Sequence, residues 1–176
     1  MIKQFVATRP IASSSGGAFE ARSTATERAP VTVEDAAFML AEFENGALGS
    51  FEASRFATGR KNFNAFEIYG SEGSLAFNLE RMNEIQYFSE RDDAEAQGFR
   101  TILATESLHP YMQHWWPPGH IIGYEHTFTH AIADFLNAIA TGERIRPDFA
   151  DGVIEMRILE AGLESARTGS RVNVAA

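Results

Sequence analysis

The stretch AAFMLAEFENGALGSFEASRF, residues 36–56, decides the fold. Two apolar-rich runs, residues 36–43 and 47–56, flank the tripeptide Glu44-Asn45-Gly46. An Asn-Gly pair tolerates the positive φ angles of a tight hairpin turn, so the stretch predicts two antiparallel strands. This is the strongest hairpin signal in the chain.

The sequence on either side extends the predicted sheet. Gly70-Ser71-Glu72-Gly73 separates two further strand patterns, and later runs complete an antiparallel meander. Within it, Leu75, Phe77 and Leu79 are expected to share one face, because side chains alternate along a strand. Residues 10–30 are rich in Ser, Gly, Ala and Thr, and they predict a long surface loop. The strands predicted outside the hairpin cover residues 2–7, 63–69, 74–79, 84–89 and 99–104.

The last third of the chain predicts two helices. Apolar residues around Phe128 recur at helical spacing and form one stripe, and the helix is expected to end near Gly142. Asp148 is a candidate N-cap for a second helix that ends near Gly169, and residues 171–174 suggest a short terminal strand. The fold class is therefore α+β, with an open, mainly antiparallel sheet and helices packed on one face. Its length suits a single domain over residues 1–176.

Composition excludes several classes of function. The formal net charge of -9 opposes association with nucleic acid, because a polyanion would be repelled. No apolar run approaches the roughly 20 residues that a membrane span needs. The absence of cysteine excludes disulfides and thiolate chemistry and fits a cytoplasmic protein.

All five histidines and both tryptophans lie in HPYMQHWWPPGHIIGYEHTFTH, residues 109–130. Pro117 and Pro118 stiffen the segment, since each fixes its own φ angle and restricts the residue before it. A stiff loop that carries Trp and His suits the binding of a sugar or polyol, whose C–H faces pack on rings and whose hydroxyls bond to imidazoles. An equally weighted interpretation is an aromatic plug that seats the loop on the sheet.

His126 and His130 have the i, i+4 spacing that can chelate one metal ion from a helix. A helical wheel of this predicted helix places both histidines on the side away from the stripe around Phe128, so neither is a simple core histidine. No third ligand is specified, and a hydrogen-bonding or surface role is therefore favoured over a metal site.

Basic residues bracket a second candidate position. Arg55, Arg60 and Lys61 flank a turn between two predicted strands, where they could meet a phosphate or carboxylate. A solvated strand end is the favoured alternative. The sequence contains no G-x-G-x-x-G fingerprint and no G-x-S-x-G elbow, so neither a dinucleotide site nor a nucleophilic triad is indicated.

Three stretches together resemble the C-terminal domain of the glucose-fructose oxidoreductase and inositol dehydrogenase family. They are FENGALGSFEASR, FEIYGSEGSLAF and HTFTHAIADFLNAIATGERIRPDFADGVIEMRILEAGLESARTGSRV. The resemblance covers about residues 2–174. It implies an NAD(P)-dependent sugar or polyol oxidoreductase, in which an N-terminal Rossmann domain binds the cofactor and the open sheet of an α+β domain forms homo-oligomers.

Two motifs of that family are absent from this chain. They are the Glu-Lys-Pro motif and the Gly-Asp-x-Gly-x-His segment, which supply its active-site Lys, Asp and His. The chain is therefore expected to be one partial domain, with no Rossmann domain, no catalytic residue, no cofactor-binding residue and no metal ligand of its own. NAD or NADP is expected only for a full-length enzyme, and an engineered piece, a truncated gene product and one part of a split enzyme all fit this expectation. The substrate contacts implied for this region are His114, Trp116, His120 and His126, with Arg55 and Lys61 as weaker candidates.

Two alternatives remain open at this point. One is a non-enzymatic assembly or binding module, which the missing cofactor half favours. The other is a histidine-based metal hydrolase, which only His126 and His130 favour.

Overall fold

A computed structural model describes residues 1–11 and 26–174 of the chain. It contains nine strands and two α-helices in this part, and each strand pair is antiparallel. The strands are β1 (Ile2–Lys3), β2 (Thr8–Pro10), β3 (Arg28–Pro30), β4 (Ala36–Glu42), β5 (Leu48–Ser54), β6 (Ala65–Gly70), β7 (Gly73–Asn78), β8 (Glu84–Ser89) and β9 (Arg100–Leu103). The helices are α1 (Tyr124–Thr141) and α2 (Phe149–Thr168).

The chain divides into two compact units. The first comprises Met1–Thr58 and Pro147–Ala176, and it contains the sheet β1-β4-β5, the ribbon β2-β3 and helix α2. The second comprises Gly59–Arg146, and it contains the meander β6-β7-β8-β9 and helix α1. The predicted α+β class with antiparallel sheet is confirmed.

The hairpin predicted from residues 36–56 is confirmed as β4 and β5. Glu42 pairs with Leu48, and the N–H of Phe43 donates to the carbonyl of Ala47 at 2.8 Å. Gly46 has a φ of 83°, and its N–H donates to the Phe43 carbonyl at 2.9 Å. A three-residue loop with a left-handed last residue is a common hairpin connection, and glycine adopts that conformation without strain from a Cβ.

Both ends of the predicted long loop belong to strands. Pro10 pairs with Arg28, and Thr8 pairs with Pro30, so the prediction of a loop over residues 10–30 is wrong at its ends. The Arg28 guanidinium reinforces this ribbon by donating to the Thr8 carbonyl at 2.6 Å. The segment between them, residues 12–25, lies outside the described residues. The ribbon carries too few apolar residues for the sequence pattern to reveal it.

Asp35 anchors the amino-terminal segment of the first unit. It is only 1% exposed, and its carboxylate accepts the backbone N–H groups of Phe5 and Val6 at 2.7 and 2.9 Å. The Arg9 guanidinium approaches the same carboxylate at 2.5 Å. Buried charges are stable only with such partners, so Asp35 fixes the path of the chain between β1 and β2.

The second unit follows the predicted meander closely. Strands β6 to β9 join sequential neighbours, and Phe66 pairs directly with Phe77, their ring centroids 5.4 Å apart. Leu79 is a correction, because it begins a short 3₁₀ turn instead of continuing β7. Asn78 caps that turn by accepting the Glu80 N–H at 2.9 Å, which ends the strand one residue earlier than its apolar alternation indicates.

Both predicted helices are confirmed, together with their ends. Gly142 and Gly169 close α1 and α2 with φ angles of 72° and 69°. Asp148 caps α2 by accepting the Ala150 N–H at 2.7 Å, and Asp151 reciprocates by accepting the Asp148 N–H at 2.8 Å. Residues 171–174 are not a strand, which corrects that prediction. Neither helix of the described residues is long and apolar enough to cross a membrane.

Candidate functional site

The candidate site is the segment 109–123, which we call the aromatic loop, together with the first half of α1. A 3₁₀ turn over Met112–His114 shapes the loop, and Met112 is buried. Tyr111 starts this turn with a φ of 66°, the single positive φ angle of a non-glycine residue in the described part of the chain. Bulky residues rarely adopt this conformation, so surrounding contacts must hold it.

Those contacts come from one face of α1. The indole N–H of Trp115 donates to Nε2 of His130 at 2.7 Å. The Tyr111 ring stacks on the His130 ring with centroids 4.2 Å apart and an interplanar angle of 9°, and its hydroxyl donates to Asp134 at 2.6 Å. The hydrogen bond to Asp134 raises the pKa of the Tyr111 hydroxyl above its ordinary value, since a carboxylate acceptor favours the protonated phenol. The loop is thus attached to two successive turns of the helix.

His126 is also part of this attachment. Its Nδ1 accepts the N–H of Gly123 at 3.1 Å, and its ring meets the Trp115 ring edge-on with centroids 4.5 Å apart. A neutral His126 that accepts at Nδ1 carries its proton on Nε2. The structure therefore places His126 at the start of α1 beneath the loop, and not on the loop surface.

A second attachment holds the far end of the loop. The side-chain amide of Asn83, in the turn before β8, donates to the Ile122 carbonyl at 2.8 Å and accepts the Ile122 N–H at 3.0 Å. These two residues are 39 positions apart in the sequence. Because both polar groups of the amide are used, the pair fixes the position and direction of the backbone that leads into α1.

The remaining predicted contact residues lie on the outside of the loop. Trp116 is 66% exposed, and His114 and His120 are exposed as well. His120 places Nδ1 2.8 Å from the Pro117 carbonyl, so the ring is held against the proline turn. His114 places Nε2 3.2 Å from the side-chain nitrogen of Gln113. The loop thus presents one large ring face and two imidazoles to solvent, and groups of these kinds can pack on apolar surfaces and form hydrogen bonds.

Arg55 and Lys61 occupy different units. Arg55 belongs to the first unit, where its backbone N–H donates to the Asp35 carbonyl at 2.9 Å. Lys61 belongs to the second, where its backbone N–H donates to Glu80 at 2.8 Å. Both residues are exposed, and Arg60 next to Lys61 lies over the Phe63 ring at 3.8 Å.

A shallow cavity of about 750 Å³ lies against the meander. Glu67, Ala76, Gln86 and Thr101 form one row across the four strands, because each is the registered partner of the next. The Gln86 amide donates to the Thr101 hydroxyl at 2.8 Å. Arg60 and Arg81 also line this cavity, together with the rings of Phe63, Phe66 and Phe77, so its lining is partly charged and partly aromatic.

The histidine pair of α1 is arranged for hydrogen bonding and not for chelation. His126 uses Nδ1 and His130 uses Nε2 to accept N–H groups of the protein, which removes one lone pair from each ring. Among the described residues, no three His, Asp or Glu side chains are grouped so that they could hold a metal ion.

Sequence reasoning named four residues of this site, and it missed three others. Tyr111, Asp134 and Asn83 were not identified as members. Asp134 follows His130 by one helical turn, so its spacing offered a signal. Neither the left-handed backbone of Tyr111 nor the contact between Asn83 and Ile122 has a local sequence signature.

Comparison with known proteins agrees with the geometry. The family model described as "Oxidoreductase family, C-terminal alpha/beta domain" matches residues 8–174 of this chain. Levoglucosan dehydrogenase of Pseudarthrobacter phenanthrenivorans is 40% identical over an alignment of 176 positions, which covers 99% of this chain and 45% of that protein. The chain therefore spans less than half the length of this curated relative.

Solved structures show the same relationship. The crystal structure of an oxidoreductase domain protein from Kribbella flavida has a TM-score of 0.89 and 47% identity, and the match covers 99% of this chain and 43% of that one. A levoglucosan dehydrogenase in complex with NADH and levoglucosan has a TM-score of 0.81 and 44% identity, covering 84% of this chain and 40% of that one. With the family model matching almost its full length, this chain belongs to the glucose-fructose oxidoreductase and inositol dehydrogenase family, as its C-terminal α/β domain.

Proposed function

We propose that the chain is the substrate-side part of an NAD(P)-dependent sugar or polyol oxidoreductase, in which the aromatic loop forms one wall of the substrate site. The observation that carries the proposal is the combination of exposed Trp116 with His114 and His120 on a loop that is attached at both ends. A ring face binds the C–H side of a sugar, and imidazoles bond to its hydroxyls. The names of the similar solved proteins, which include levoglucosan, support a sugar as the ligand class.

The chain's own residues do not fit a dinucleotide. Every strand pair of the described residues is antiparallel, so they contain no β-α-β unit of the kind that places a helix N-terminus at a pyrophosphate. NAD(P) supplies the redox chemistry when bound in such enzymes. In this proposal the cofactor is held by sequence outside this chain, and the residues described above orient the substrate.

A second copy of the chain is the proposed partner of the meander. The strand register places Phe66, Ile68 and Ile102 on one face, where all three are exposed. Burial of such apolar surface favours association. Sedimentation of an Ile68→Lys variant tests this partner, with Ala65→Lys as the control on the opposite face. Dissociation by both variants, or by neither, would contradict an interface on the apolar face.

A chimera tests the substrate role. The chain would replace the matching 45% of the Pseudarthrobacter levoglucosan dehydrogenase, and NAD(P) reduction would be followed with levoglucosan and a panel of sugars and polyols. Trp116→Ala and His120→Ala are expected to raise KM about tenfold each, since each removes a direct contact. Leu108→Ala is the control, because Leu108 is a largely exposed side chain just outside the loop. A folded chimera without turnover, combined with no sugar binding by the chain itself in a titration, would refute the proposal.

A further inference from the structure

His130 occupies a central position in the candidate site although its ring does not face the loop surface. It accepts the Trp115 indole N–H on one edge at 2.7 Å, and the Tyr111 ring covers its face at 4.2 Å. From the sequence, a hydrogen-bonding or surface role is favoured for His130 over metal binding. The structure shows that its two interactions are with aromatic residues of the loop.

The contact between Trp115 and His130 determines where the next residue points. Trp115 has extended backbone angles, with φ of -114° and ψ of -155°. Neighbouring side chains along an extended backbone point to opposite sides. When the Trp115 ring turns inward to His130, Trp116 is therefore directed outward, in agreement with its 66% exposure.

Tyr111 and Asp134 make the arrangement rigid on the other side of His130. Asp134 lies one turn after His130 on α1, and its carboxylate accepts the Tyr111 hydroxyl at 2.6 Å. This bond keeps the Tyr111 ring over His130 while the backbone of Tyr111 remains left-handed. Around His130 and Asp134, the loop is thereby held by two hydrogen bonds and one ring stack on a single helix face.

We propose that His130 is a positioning residue of the sugar site: by accepting the Trp115 indole N–H beneath Tyr111, it holds the aromatic loop so that Trp116 and His120 face the substrate. That the ligand is a sugar rests on the proposed function, whereas the contacts of His130 with the loop do not depend on it. An indole N–H does not ionise and can only donate, so the bond requires an unprotonated Nε2 on His130. Tyr111 is the titratable group stacked on this ring, and His126 and Asp134 lie one helical turn before and after it on α1.

The chain offers a direct spectroscopic test. It contains only two tryptophans, so an amide correlation spectrum shows two indole N–H signals, and Trp116→Phe identifies the signal of Trp115. That signal is expected to be shifted by the hydrogen bond and to be protected from solvent exchange. In His130→Phe, which keeps a ring beneath Tyr111 but has no acceptor, the Trp115 signal is expected to take the position of an exposed indole. His130→Gln, which keeps an acceptor, is expected to preserve it.

Titration of the same proteins with levoglucosan distinguishes a positioning role of His130 from a purely structural role. His130→Phe is expected to weaken binding roughly three- to tenfold, and His130→Gln to restore most of it. Trp115→Phe removes the donor and is expected to match His130→Phe, so the conclusion does not depend on the folding of one variant. An unchanged Trp115 signal in His130→Phe, or a lost signal with unchanged sugar affinity, would overturn the positioning role. If the wild-type chain and the chimera bind no sugar but substitution of His130 moves the Trp115 signal, the proposed function is wrong. The hydrogen bond that attaches the loop to His130 is then still supported.

Discussion

Asp35 and Arg9 form an ion pair of 2.5 Å in which the carboxylate is fully buried and the guanidinium remains half exposed. The Val6 N–H lowers the pKa of Asp35, with further lowering by the Phe5 N–H and the Arg9 charge, against an opposing effect of burial. The folded chain therefore favours the ionised form of this carboxyl group.

Acid is expected to weaken the first unit through Asp35. Because the folded-state pKa lies below the unfolded value of about 3.9, the stabilisation is present above that pH and is lost as pH falls through the lowered pKa. Asp35→Asn should lower the urea concentration at the midpoint of unfolding at neutral pH. In this variant the midpoint should also decrease less on acidification than it does in the wild type. Glu34→Gln is the control, since Glu34 is the exposed neighbour. Equal midpoints for both variants at neutral pH would contradict the assigned role.

Alkaline titration provides a test of the contact between Tyr111 and Asp134. The folded-state pKa of the Tyr111 hydroxyl is raised above the unfolded value of about 10. The contact therefore contributes fully to stability below about pH 10, and this contribution is lost as pH rises through the raised pKa. Asp134→Asn removes the carboxylate that raises it. Ultraviolet absorbance should show one of the four tyrosines ionising at lower pH in this variant, whereas exposed Asp93→Asn should leave the titration unchanged. Identical curves for wild type and Asp134→Asn would exclude the contact.

Two glycines provide a matched test of the hairpin turn. A Cβ added at either Gly46 or Gly152 meets nothing within 4 Å, but Gly46 has a φ of 83° and Gly152 lies inside α2. Gly46→Ala should lower the free energy of unfolding by roughly 1–2 kcal/mol because of the left-handed backbone. Gly152→Ala should raise it by roughly 0.5–1 kcal/mol, since alanine restricts the unfolded chain. Chemical denaturation measures both, and the same sign for the two variants would refute the turn geometry.

The apolar stripe of α1 is expected to bind hydrophobic dyes. Phe128, Ile132 and Phe135 are each more than half exposed, although an apolar stripe of this kind is usually the face that a helix buries. Phe135→Asp should reduce dye fluorescence, because a charge interrupts the centre of the stripe. Asn137→Asp adds the same charge on the other side of the helix and should have little effect. A similar response to both variants would show that the dye binds elsewhere.

Local signals account for most of what the sequence predicted correctly. The turn at Gly46 and the caps at Asp148, Gly142 and Gly169 each depend on residues within a few positions, so the sequence pattern contains them. The ribbon that joins Thr8 to Pro30 depends on pairing across a long segment and has no such pattern. Apolar periodicity likewise identifies a stripe on a helix, but it does not specify what covers the stripe.

For the candidate site too, the sequence predicted the features that depend on local residues and did not predict those that depend on tertiary contacts. Composition located the loop and its residues, because Trp116 and His120 stand in an unusual cluster. Their orientation depends on His130 and Asn83, which contact the loop through tertiary hydrogen bonds. Such bonds form between positions that only the fold brings together, and for this reason the sequence pattern could not distinguish anchoring residues from exposed ones.

The sequential order of the meander has a consequence for folding kinetics. Strands β6 to β9 each pair with the next strand in the chain, so little loop-closure entropy opposes their assembly. In the first unit, β1 must find β4 across more than thirty residues, Ile2 pairing with Ala37. Topologies with such distant contacts fold more slowly, and the meander is therefore expected to form before the amino-terminal strand is added to its sheet.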